Sequence, residues 1–148
     1  MLKTSLRTMV LALALAISAS FAASAEMVYH RGNAADPETL DQHKTSTVYE
    51  AHILRDLYEG LVIYNGRAEV IPGVAESWEV SDDGTVYTFR LRADAKWSNG
   101  DPCTAEDFVY SYQRILSPAL GGPYSSMLWF LKNAKKFNAG EIDDFAEV

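Results

Sequence analysis

The sequence predicts a mixed α and β protein. Two stretches with apolar residues at helical spacing each open on a capping box, Thr47-Val-Tyr-Glu50 and Thr104-Ala-Glu-Asp107. Between them, residues 77–81 and 86–92 flank Asp82-Asp83-Gly84, a turn signal between two alternating runs, which reads as a β-hairpin.

Taken in order, residues 27–31 form a short apolar-leaning run that fits one strand, and Asp36-Pro37 marks a turn. Behind Thr47, Leu54, Leu57, Tyr58 and Leu61 recur at i, i+3, i+4 and i+7, one face of an amphipathic helix, with Gly60 placed for a left-handed cap. Residues 61–64 fit a brief strand that Asn65-Gly66 turns. In the second strand of the hairpin Tyr87, Phe89 and Leu91 face one way, while Thr88, Arg90 and Arg92 face the other. Ser98-Asn99-Gly100 is a further turn. The helix capped by Thr104 buries Phe108, Tyr112, Ile115 and Leu116, and Ser117-Pro118 stops it. Gly121-Gly122-Pro123 is a loop, and residues 124–137 have helical content without a clean stripe before Asn138-Ala-Gly140 breaks them.

Composition narrows the function. Thirteen Lys and Arg against twenty Asp and Glu give a net charge of −7, a poor match for phosphate backbones, so no nucleic-acid partner is expected. One cysteine forms no internal bridge. Lys3 and Arg7 precede a run, residues 9–21, whose only polar side chains are Ser18 and Ser20, and Ala23-Ser24-Ala25 follows. That order is a secretory signal peptide cut after Ala25, and the run is too short to span a bilayer. The product keeps all 20 acids but 11 bases, a net charge of −9.

No residue set looks catalytic. His30, His43 and His52 lie on separate local elements and at no metal-ligand spacing, so neither a metal nor a cofactor is expected. A secreted hydrolase using His43 with Asp41 or Asp36 is the alternative, and no spacing invites it. Cys103, just before the cap Thr104, reads as a space-filling residue. Among the 17 aromatics, Trp78, Phe89, Trp97 and Phe108 are assigned to the core. Tyr124 follows a Gly-Gly-Pro loop and lies on no apolar stripe. It reads either as ordinary packing or as a ligand platform with a hydroxyl handle.

Several motifs belong together: Leu57-Tyr-Glu-Gly-Leu61, Pro72-Gly-Val-Ala-Glu-Ser-Trp78 through Gly84, Tyr87-Thr-Phe-Arg-Leu-Arg92, Ala95-Lys-Trp-Ser-Asn-Gly100 and Thr104 through Arg114. With Asp41-Gln-His43-Lys44 before them and Ser117-Pro118 to Pro123-Tyr124 after, their order and spacing resemble the solute-binding receptors of peptide ABC importers, solute-binding protein family 5. The resemblance implies the N-terminal portion of a two-lobed, type II periplasmic-binding-protein-like fold, incomplete here, because receptors of this family are several times longer. Residues 26–59 would begin a discontinuous first lobe, and residues 60–148 would form part of the small extra domain of the peptide-binding subgroup. It further implies a periplasmic monomer that binds extended oligopeptides and hands them to an inner-membrane ABC permease, without enzymatic activity. A dipeptide, a murein peptide or a nickel complex is the alternative solute within the family, and a stand-alone secreted interaction module the alternative outside it. As ligand contacts the resemblance assigns Tyr124, Val48 and Ser46. At Ser46 the oligopeptide receptors carry an acid that this chain lacks. Glu76, Trp78, Asp82, Gly84 and Trp97 match structural positions of the motif.

Overall fold

The computed structural model divides into two units, Met1–Gly32 and Asn33–Val148. Its described residues are 27–148, so the leader expected over residues 1–25, with its cut after Ala25, lies outside them. In the first unit, residues 27–32 have no regular structure. The strand expected at 27–31 is not formed, since a strand needs a ladder partner and no described strand supplies one. All the elements that follow lie in the second unit.

Helix α1 is Val48–Leu57. Glu50, 1% exposed, accepts from the N–H groups of Ser46 and Thr47, both at 3.0 Å, and so forms the acidic half of the expected capping box. These donors, Thr47 first, hold its carboxyl below the ordinary value. Tyr58, in extended conformation, ends the helix and donates to the Leu54 carbonyl at 2.9 Å. The expected face is therefore cut short. Leu57 and Tyr58 are 62% and 45% exposed, Leu61 lies beyond the helix, and Gly60 is not a left-handed cap.

Strands β1 (Val62–Tyr64) and β2 (Val70–Pro72) pair antiparallel, with Ile63 opposite Ile71. The turn between them is wider than Asn65-Gly66 alone predicts. Asn65 Oδ1 accepts from the N–H groups of Arg67 and Glu69, and the left-handed residue is Ala68 at φ 61°. The expected hairpin forms from β3 (Ala75–Val80) and β4 (Tyr87–Leu91), with Trp78 opposite Phe89. Gly84 supplies φ 71°, and the Asp83 carboxylate accepts from Ser81 Oγ, Thr85 N–H and Thr85 Oγ. On its inward face Phe89 and Leu91 are half-buried, while Tyr87 is exposed.

Helix α2 is Ala105–Leu116, opened by Asp107 accepting from the Thr104 N–H at 2.7 Å and closed at Ser117, as expected. Phe108, Tyr112 and Ile115 are half-buried and Leu116 wholly buried. A 3₁₀ turn, Ser125–Leu128, and helix α3, Ala134–Asn138, fold back on it. Leu116, Ala134 and Phe137 form the core, with the Phe137 and Phe145 rings edge-to-face at 5.2 Å. Asn138 staples the layer, its Nδ2 donating to the Leu116 carbonyl and its Oδ1 accepting from Ser125 Oγ and Trp129 Nε1. Trp97, expected in the core, is instead 42% exposed.

Candidate functional site

Of the three expected ligand residues, Tyr124 and Ser46 meet, and Val48 follows Ser46 by two residues along the same rim. Ser46 and Val48 lie at the entry of α1, and Tyr124 stands between the Gly121-Gly122-Pro123 loop and the 3₁₀ turn. The Tyr124 hydroxyl donates to the Ser46 carbonyl at 3.2 Å across 78 residues of sequence. All three are exposed, Val48 by 64% and Tyr124 by 49%. The main chain of Ser46 is thus held from both sides, its N–H by Glu50 and its carbonyl by Tyr124.

The loop reaches this position by close backbone approach. Gly122 is buried, and a Cβ there would stand 3.0 Å from the His43 carbonyl oxygen and 3.2 Å from that of Ile115.

Beneath the rim lies a polar network that the sequence did not announce. Arg114 of α2 grips Asp41 with two nitrogens, at 2.7 and 2.6 Å, a bidentate charge-assisted pair. Arg114 Nη1 also lies 2.7 Å from His43 Nδ1, and His43 Nε2 lies 3.0 Å from Ser111 Oγ. Arginine has only donors, so Nδ1 accepts and Nε2 carries the proton that Ser111 receives. His43 is 7% exposed, and burial first, then the Arg114 charge, push its pKa below the ordinary 6.5. Arg114 holds the Asp41 carboxyl well below the usual carboxylate range.

Asp41, His43 and Ser111 invite comparison with a nucleophile triad, but Arg114 stands where the carboxylate would meet the imidazole. Neither ring nitrogen has a lone pair left for a serine proton. Cys103 is likewise unactivated, burial and Asp107 raising its pKa. The one trace of the network in the sequence is that Ser111 and Arg114, three residues apart, lie along one edge of the apolar stripe of α2.

The network predicts acid lability. Below about pH 6.5 the unfolded chain binds a proton at position 43 more readily than the folded one, so stability is complete above 6.5 and falls as pH drops through that window. Asp41 adds a second loss below its ordinary 3.8. One linked proton limits the His43 slope to about 1.4 kcal/mol per pH unit. Urea midpoints between about pH 8 and about pH 5 should fall for the wild type. They should fall less for His43→Asn, whose Oδ1 keeps an acceptor for Arg114 without titrating.

An open groove of about 1090 Å³ lies beside the network, lined among others by Leu57, Tyr58, Trp97, Phe108 and Tyr110. An Arg92–Glu59 ion pair at 3.0 Å lies along it. Among the described residues no cluster of His, Cys, Asp and Glu could hold a metal ion.

The helices and strands match part of the two-lobed fold of periplasmic binding proteins. Residues 69–148 match the family described as bacterial extracellular solute-binding proteins, family 5 Middle, and the chain belongs to that family. It is 48% identical over 100 residues to the periplasmic oligopeptide-binding protein OppA of Haemophilus influenzae, covering 68% of this chain and 18% of that one. It is 44% identical over 109 residues to the periplasmic murein peptide-binding protein MppA of Escherichia coli, covering 74% and 20%. The crystal structure of Haemophilus influenzae OppA in complex with RPPGFSPFR superposes with a TM-score of 0.72 at 45% identity, covering 75% of this chain and 22% of that one. The chain therefore spans about a fifth of the length of the relatives it matches.

Proposed function

We propose that this chain supplies one wall of the peptide cleft of a periplasmic receptor that binds extended oligopeptides and delivers them to an inner-membrane ABC permease. The observation that carries the reading is the hydrogen bond between exposed Tyr124 and the Ser46 carbonyl, two residues before exposed Val48. Membership of a solute-binding family, and relatives named for oligopeptide and murein peptide binding, support it. The role is binding without chemistry, in keeping with His43 having both nitrogens engaged. A leader cut after Ala25 would place the product in the periplasm.

A receptor that reads many peptides pairs with their main chain and treats side chains permissively, often through water. One wall alone holds such a ligand weakly. Titration of the chain with RPPGFSPFR, followed by amide NMR, should therefore give millimolar half-saturation. Shifts should be confined to residues 46–49 and Tyr124, and Tyr124→Ala should abolish them. Shifts confined to the β3–β4 hairpin, or none at all, would overturn the reading. Ser46 carries no charge where oligopeptide receptors carry an acid, so a murein peptide is the second ligand to test. Competition between the two peptides in the same titration orders them.

A further inference from the structure

We propose that His43 is a positioning residue for this rim: keyed between Arg114 and Ser111, its imidazole fixes the main chain that carries Ser46 and Val48 against the loop that carries Tyr124. The inference rests on reading that rim as ligand-facing. It goes further in naming what sets the rim's geometry and what would disturb it.

His43 stands where three pieces of chain converge. Among the described residues its side chain is bonded to α2 alone, through Arg114 and Ser111. Its N–H donates to Asp41 Oδ1 at 3.2 Å, and Asp41 is in turn held by Arg114. Its carbonyl is the surface on which Gly122 packs, two residues before Tyr124. Three residues after His43, the Ser46 carbonyl receives the Tyr124 hydroxyl. His43 thus touches both halves of the rim, and Ile115, one residue from Arg114, offers Gly122 the second carbonyl.

The hold depends on protonation. Nδ1 must accept from Arg114, so a proton there would set two donors and two positive charges 2.7 Å apart. Among the described residues the charged groups facing the imidazole are Asp41 on its own segment and Arg114 on α2. Asp41 cannot offset the charge on its own, because both its oxygens already serve Arg114. Nothing titratable faces it from the Gly121–Pro123 loop. Acid should release the segment from α2, tilt the Ser46 carbonyl from Tyr124, and weaken peptide binding on the order of tenfold, within the usual span of site-to-site coupling.

The test follows the full chain by NMR from about pH 7.5 to about pH 5, across the ordinary histidine range. Wild type, His43→Asn and Ser111→Ala are each read with and without RPPGFSPFR. In the free wild type, the His43 ring should show the Nε2–H tautomer. The amides of Ser46, Thr47 and Tyr124 should move with the His43 titration, while those of β3 and β4 do not. In His43→Asn, which keeps an acceptor for Arg114 but loses the Ser111 bond, these rim amides should lose their pH response. Ser111→Ala, which removes only the Nε2 partner, should move the rim amides at neutral pH in the same direction as acid does. Rim amides that ignore both the His43 titration and Ser111→Ala would overturn the positioning role, whatever the peptide does. Rim amides that respond as expected in a chain that binds no peptide would instead uphold the positioning role and overturn the ligand-facing reading.

Discussion

Leu116→Ala is expected to lower the unfolding free energy by about 2–5 kcal/mol, the range for truncating a buried leucine. Leu116 has no exposed surface and sits against Ala134 and Phe137, with Ile115, Leu128, Leu131, Ile142, Phe145 and Val148 around them. The cost of such a cavity depends on how far the surroundings collapse into it. Here collapse is opposed, because the Leu116 carbonyl is pinned by Asn138 Nδ2 at 2.9 Å, and Asn138 also ties down Ser125 and Trp129. The loss should therefore fall in the upper half of that range. Urea unfolding should show a lower midpoint at unchanged slope, and Leu116→Met should cost less than about 1.5 kcal/mol. A Leu116→Ala loss below about 1 kcal/mol would mean that α3 closes over the gap, and that the layer beneath the Tyr124 turn is not a fixed base.

What the sequence made legible follows the range of its signals. The capping boxes at Thr47 and Thr104, the Asp82-Asp83-Gly84 hairpin and the stop at Ser117-Pro118 are local, decided within five residues, and all four appear. The stripe of Leu54, Leu57, Tyr58 and Leu61 failed for a different reason. Periodicity says which face of a helix is apolar, but not where the helix ends or whether anything covers that face. Tyr58 breaks the pattern with an extended backbone, and Leu57 and Tyr58 line an open groove instead of a core. Trp97, assigned to the core because large aromatics are usually buried, lines the same groove. Between β1 and β2 Asn65 does mark a turn, but its side chain organises the loop so that Ala68 takes the left-handed position.

The family was legible because its motifs are linked at fixed spacing over most of the chain, a signal that no single motif carries. The candidate rim was legible only in part. Tyr124 stood out as an aromatic with no stripe to join, whereas its meeting with Ser46 spans 78 residues. The Asp41–Arg114–His43–Ser111 network was hidden for the same reason. Its two halves, Asp41 with His43 and Ser111 with Arg114, lie about 70 residues apart, and each residue taken alone is an ordinary surface type. Burial decides their role, and burial is a property of the assembled fold.

Gly73→Ala is expected to be comparably damaging, although it adds a single methyl group. A Cβ at Gly73 would lie 2.5 Å from the Gly60 carbonyl oxygen, and 3.2 Å from both the Leu61 oxygen and Ile63 Cγ2. Such a clash is cheap only where the neighbour can retreat, and here it cannot. Gly60 O accepts from the Val74 N–H at 2.9 Å, and Leu61 O accepts from Gly73 and Ala75 at 3.1 and 3.0 Å. Relieving the overlap means breaking the bonds that join the chain after α1 to the start of β3. Overpacking and lost hydrogen bonds together suggest about 2–4 kcal/mol. Gly66→Ala is the control, since nothing stands within 4 Å of its Cβ position and its backbone is not left-handed. It should change stability by less than about 1 kcal/mol, in either direction. Hydrogen exchange gives the local reading. In Gly73→Ala the amides of Val74 and Ala75 should lose protection first, and that of Arg92, which donates to the Val74 carbonyl at 2.9 Å, should follow. Wild-type protection at those three amides would mean that the Gly60–Leu61 backbone yields without cost, and that the junction does not hold the β3–β4 hairpin to the end of α1.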